Sequence, residues 1–155
     1  MIRFASPADV ATVYALVRDL ARYEKLEHQV TGTEDDLRAH LFGPRPYAEA
    51  LVCEVDGTSV GFALFFHTYS TFLGRPGLYL EDLFVLPEHR RKGYGRALIR
   101  EVARLAVSRR CGRLEWSVLD WNAPAIAFYR SLGADVMPDW RICRLTSKAL
   151  ADLGG

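Results

Sequence analysis

The sequence predicts an α/β fold in one domain over residues 1–155, with a mixed sheet of about six or seven strands flanked by about four helices. Three observations carry this expectation. Leu78 to Leu98 reads as an apolar strand, then a basic loop holding Gly93 and Gly95, then the opening of a long helix. That helix, over 94–109, lies between a strand ending near Leu86 and another from Leu114 to Leu119, and strands joined by such a crossover run parallel. Asp56-Gly57 between two apolar runs signals a tight hairpin, so the first half pairs antiparallel.

Each element has a local cause. Residues 2–5 alternate enough for a short strand. Ser6-Pro7-Ala8-Asp9 starts a helix, with Ser6 as cap, Pro7 at the first helical position and Asp9 closing a capping-box-like pair. Val10, Val13, Tyr14, Val17 and Leu20 recur at helical spacing, so one face of 7–24 is buried. Thr33-Glu-Asp-Asp36 is a second capping box, and Gly43-Pro44 stops its helix. Leu51–Val55 and Val60–His67 flank the hairpin turn, and Phe72 to Gly77 leads into the strand from Leu78. Leu98, Val102, Leu105 and Ala106 form the inward stripe of the helix after the glycine loop. Ala123 to Leu132 is the last full helix, stopped by Gly133; residues 140–146 are expected as a final strand and Gly154-Gly155 as a loose tail. No repeat, linker or low-complexity stretch interrupts the chain.

Composition narrows the function. Half the residues are apolar, a quarter are charged and the formal net charge is +1, which is ordinary for a globular domain and gives no reason to expect nucleic acid. Positive charge is instead local, around residues 90–113. Three scattered cysteines, Cys53, Cys111 and Cys143, suit reduced thiols in a cytoplasmic protein. No opening stretch resembles a signal peptide, no apolar run reaches membrane-spanning length, and no His or Cys spacing predicts a metal site.

A helix start carries unpaired N–H groups and partial positive charge, so strand, basic glycine loop and helix together make phosphate-binding architecture. Gly93 and Gly95 let main chain approach an anion, and Arg90, Arg91 and Lys92 add full charges, with Tyr94 and Arg96 completing the turn. Spacing separates the candidates. The Walker pattern needs four residues between glycines and a following Lys-Ser/Thr, both lacking here. The dinucleotide fingerprint finds an acid, Glu115, about twenty residues after Gly95, but Leu98 occupies its third glycine position. An ordinary surface loop is the bland alternative.

Arg90-x-x-Gly93-x-Gly95 resembles the coenzyme A loop of the GNAT acetyltransferases, whose pattern is Arg/Gln-x-x-Gly-x-Gly/Ala between strand and helix. The runs Tyr79–Val85, Val118–Asn122, Phe128–Ala134 and Arg22–Val30 are similar to the diamine acetyltransferase branch (spermidine/spermine and thialysine), in order along nearly the whole chain. This resemblance implies a GNAT-like fold with a splayed central strand pair, and acetyl-CoA as cosubstrate. It further implies main-chain contacts from Leu83, Phe84 and Val85 to the pantetheine arm, and a homodimer with its active site near the subunit boundary.

Acetyl transfer to an amine needs a neutral nucleophile, a stabilised oxyanion and a protonated leaving thiolate. With a pKa of about 10.4, under about one alkyl ammonium in a thousand is ready at pH 7, so a base matters. The resemblance puts a substrate-side glutamate at Glu81, mid-strand, where an apolar wall would raise its pKa; structural ion pairing is the alternative for it and for Asp82. Asp82 should point to the opposite face unless a bulge intervenes, as it often does in related folds. Tyr129 matches the family's general-acid tyrosine, although helical spacing with Ile126 and Leu132 also permits a core aromatic. Asn122 is placed to cap the last helix and meet the cofactor. Cys111 lacks a local base, so direct attack in a ternary complex is preferred to an acyl-enzyme.

The resemblance implies a small-molecule amine as acceptor, with Tyr23, Glu24, Glu81, Asp82 and Trp140 as pocket candidates. Polyamine-preferring members of the resembled branch carry an acid and a tryptophan after the hairpin tyrosine. Here the run is Tyr69-Ser-Thr-Phe72, which looks more like the thialysine-type relatives, although Phe72 departs from both. A protein or peptide acceptor and a non-catalytic acyl-CoA-binding module are the alternatives.

Overall fold

The computed structural model describes all 155 residues, which form two compact units, Met1–Ser117 and Val118–Gly155. In the first unit, β1 (Ile2–Phe4), β2 (Glu49–Val55), β3 (Thr58–Ser70), β4 (Arg75–Val85) and β5 (Leu114–Glu115) make one five-stranded sheet in sequence order. The first four strands are antiparallel, and β5 runs parallel to β4. Helices α1 (Val10–Tyr23), α2 (Glu34–Phe42) and α3 (Tyr94–Ser108) complete this unit.

Both expected helix starts are built. At Thr33 the box is reciprocal: Asp36 N–H donates to Thr33 Oγ1 at 3.1 Å, and Thr33 N–H donates to the Asp36 carboxylate at 2.8 Å. At Ser6 the Asp9 carboxylate accepts from both the Ser6 N–H and its hydroxyl at 2.7 Å, leading through one 3-10 turn into α1. The Asp56-Gly57 turn has positive φ at both residues, 50° and 77°, as a two-residue hairpin loop between twisted strands requires.

One face of the sheet packs on α1. Val13 and Leu16 meet Val52, Phe62 and Phe84, with Leu64 and Leu86 partly buried beside them. The stripe of α3 that is buried comprises Leu98, Ile99, Val102 and Ala106. Ile99 joins the expected set, while Leu105 is only half-buried. At the far end of α3, Arg109 makes a two-pronged ion pair to Glu49 at 2.6 and 2.9 Å and lies over the Phe65 ring.

The sheet is smaller than expected, five strands rather than six or seven, and the helices number five rather than four. The strand expected over Leu114–Leu119 shortens to two residues, paired at Leu78–Leu114 and Tyr79–Glu115. The β4–β5 pairing within the first unit ends at Tyr79 and Glu115. In the second unit α4 (Ala123–Ser131) forms as expected, and Gly133, at φ 88°, follows it. The strand expected over 140–146 does not form. Its apolar residues Trp140, Ile142 and Leu145 are interleaved with Arg141 and Arg144 and stand exposed, so the segment lacks the alternating buried face of a strand. The tail is ordered instead, as α5 (Ser147–Gly154).

Candidate active site

Between β4 and α3 the chain makes one 3-10 turn over Pro87–His89 and then the basic loop. Arg91 has φ 60° and Gly93 φ 86°, both left-handed. A Cβ at Gly93 would meet nothing within 4 Å, so glycine serves there for conformation rather than room. The first bond inside α3 runs from Ala97 N–H to Gly93 C=O at 2.9 Å. The N–H groups of Tyr94, Gly95 and Arg96 therefore precede the helical ladder and sit at its positive end. Arg91 and Lys92 are exposed beside them. Such a donor set fits a diphosphate.

Arg90 has a different task from the open charge that the motif suggested. Its Nε donates to Val85 C=O at 2.9 Å, and its guanidinium lies 4.5 Å from the centre of the Tyr23 ring and 5.3 Å from that of Phe84. One side chain thus clasps the loop, the end of β4 and the end of α1. Sequence could flag the arginine but not this partnership, because Tyr23 is remote along the chain.

The paired carboxylates of β4 sit at a bulge. Phe65 is opposite Leu80 and Leu64 is opposite Asp82, so Glu81 is an extra residue with no partner on β3. Glu81 is exposed, which removes the apolar wall expected around it. Asp82 is half-buried and enclosed closely enough that loss of hydration dominates. Burial, with the negative charges of Glu81 and Glu24 added, pushes its carboxyl from 3.8 to about 7. Glu24, the residue that ends α1, is also pushed up by desolvation. Tyr23, Glu24, Asp82, Phe84, Val85 and Arg90 therefore form one wall of the first unit, carrying the acidic pocket candidates beside the clasp.

In the second unit Asn122 is buried and caps α4, its Oδ1 accepting from Ala125 N–H at 3.3 Å. Tyr129 lies two turns further on the same helix, half-buried, with its ring 5.4 Å from that of Phe128. Trp140 is exposed in irregular chain. No helix is long and apolar enough to cross a membrane.

With loop, bulge and cap in view, comparison with known proteins decides the family. The Acetyltransferase (GNAT) family model matches residues 13–134. The chain belongs to the GNAT family. It is 39% identical to thialysine N-epsilon-acetyltransferase of Bos taurus, over 100% of this chain and 97% of that protein. It is 34% identical to L-ornithine N5-acetyltransferase of Arabidopsis thaliana, over 96% and 85%. Among solved structures, an integron cassette protein of V. cholerae superposes with a TM-score of 0.83 at 24% identity, covering 99% of this chain and 96% of that one. This GNAT protein is an acetyl-CoA-dependent N-acetyltransferase.

Proposed function

We propose that the protein moves the acetyl group of acetyl-CoA to a primary amine of a small molecule, a thialysine-like amino acid, diamine or polyamine, by direct attack in a ternary complex. The observation that carries this reading is the acidic wall formed by Glu24, Glu81 and Asp82 with no arginine or lysine paired to any of them. A cationic amine is the partner that such a wall lacks. The relatives named for thialysine and ornithine point the same way.

In this reading the N–H groups at the start of α3, with Arg91 and Lys92, hold the diphosphate of acetyl-CoA, and Arg90 holds the loop in place. The unpaired side of β4 at Leu83 to Val85 offers backbone groups to the pantetheine arm. A carboxylate of the Glu81–Asp82 pair takes the ammonium proton. Tyr129 donates to the departing thiolate, Asn122 meets the cofactor, and Tyr23, Glu24 and Trp140 shape the acceptor pocket. A phenol is protonated at neutral pH, which suits it to that donation. The protein works as a cytoplasmic homodimer.

Thiol release from acetyl-CoA, measured against thialysine, lysine, ornithine, short diamines, spermidine and lysine-containing peptides, tests the proposal. Turnover with free amines and little with peptides is the expected result. Peptide preference, or cofactor binding with no acceptor used, would replace it with the protein-acetylating or non-catalytic reading. Tyr129→Phe should lose about 100-fold in turnover while acetyl-CoA affinity stays near wild type.

A further inference from the structure

In a regular strand, residues two apart share a face, so Leu80, Asp82 and Phe84 would all point the same way. The bulge breaks that parity. Leu80 is opposite Phe65 and Asp82 is opposite Leu64, and these neighbours on β3 face opposite sides of the sheet. Asp82 therefore joins Leu64 and Phe84 on the face that packs against α1, while Leu80 stays with Phe65 on the other. The inserted residue, Glu81, is left exposed.

The groups around Asp82 favour a cation and supply none. Glu24 reaches it from the end of α1 and Glu81 from its own strand, both acidic, and β3 presents the apolar Leu64 at the paired position. Arg90, the cation on this wall, is engaged by Val85 C=O and by the Tyr23 and Phe84 rings instead.

We propose that Asp82, rather than Glu81, accepts the proton that the bound ammonium must lose, and that the bulge at Glu81 aims it to do so. The inference rests on the amine acetyltransferase reading above and assigns a catalytic residue within it. An N–H bond of the ammonium breaks, its electron pair stays on nitrogen, and the proton bonds to a carboxylate oxygen of Asp82. The amine then attacks the thioester carbonyl carbon, the C–N bond forms, and the C–S bond breaks with its pair leaving on sulfur. A second nitrogen proton ends on that sulfur, giving the free thiol, and the third stays on the amide. Asp82 returns its proton to solvent. A base with a pKa near the working pH is the most effective kind, and the surroundings of Asp82 supply that condition.

The test is the pH dependence of kcat/KM for thialysine in wild type, Asp82→Asn, Asp82→Glu, Glu81→Gln and Glu24→Gln, with acetyl-CoA affinity measured alongside. Wild type should fall about tenfold per pH unit below a break near 7 and level off above it. Asp82→Asn should lose about 100-fold at neutral pH and show no break near 7, its rate climbing instead toward the ionisation of the free amine, while acetyl-CoA still binds. Glu81→Gln should keep the break, and Asp82→Glu should restore part of the rate. A break that vanishes in Glu81→Gln and survives in Asp82→Asn would overturn the assignment. Should Asp82→Asn fold poorly, Glu24→Gln decides: removing that negative neighbour must move the break to lower pH, and an unmoved break overturns the proposal. Wild-type inactivity on every amine would bring down the underlying reading and this one together; an active wild type with an unaltered Asp82→Asn profile removes only this one.

Discussion

The two ends of α1 treat a carboxylate in opposite ways. At the start, Asp9 receives both guanidinium nitrogens of Arg3 at 2.8 Å, plus the Ser6 N–H and hydroxyl, and Arg3 also reaches Glu54 at 2.6 Å. Those hydrogen bonds hold the Asp9 carboxyl far below the usual carboxylate range, against the opposing pull of burial. At the other end, Glu24 and Asp82 have no cation, and Glu24 also sits at the negative pole of the helix. Burial there wins, and both pKa values rise. The first arrangement spends charge on holding β1, β2 and α1 together; the second leaves carboxyls among like charges with no paired cation.

The contrast yields opposite stability changes. The largest is expected for Asp9→Ala, which strips Arg3 of its two-pronged partner and should cost about 3 kcal/mol, lowering Tm by about 10 °C. A Tm within a degree or two of wild type would mean that the network is ornamental. The pH dependence shares that origin. A depressed folded-state pKa contributes stability above the unfolded value of 3.8 that is lost as pH falls, so wild type should weaken in acid below pH 4 and Asp9→Ala should lose less there.

Asp82→Asn should run the other way. Because the folded pKa is raised, from 3.8 to about 7, the folded state binds the extra proton, and stability from this group is full below the unfolded value and lost as pH rises through about 7. Replacing the carboxylate should therefore raise stability at pH 8 by on the order of 2 kcal/mol and leave it nearly unchanged at pH 4. Denaturant titrations at the two pH values measure this, and an equal effect at both would show that the gain comes from packing rather than charge. Smallest of the series is Glu24→Gln, with a gain at neutral pH of a few tenths of a kcal/mol in the same titration.

The parts of this molecule that sequence made legible are those whose cause lies within a few residues. Ser6–Asp9 and Thr33–Asp36 marked helix starts because each cap and its partner are three residues apart. Asp56-Gly57 marked the hairpin because both residues tolerate positive φ. The glycine turn before α3 was visible for the same reason. Arg90 stacking on Tyr23 and the extra residue at Glu81 were harder to see, since both depend on what another segment places alongside. The sequence could name a bulge only as an alternative. Residues 140–146 mark the opposite failure, a strand-like composition that forms no strand.

The Arg90 clasp ties two distant elements to one side chain. Tyr23 closes α1 and Val85 closes β4, and the same guanidinium touches both. Loss of that guanidinium would free the end of α1, the Phe84 ring and the Val85 carbonyl together, so one cation fixes the spacing between a helix end and a strand end.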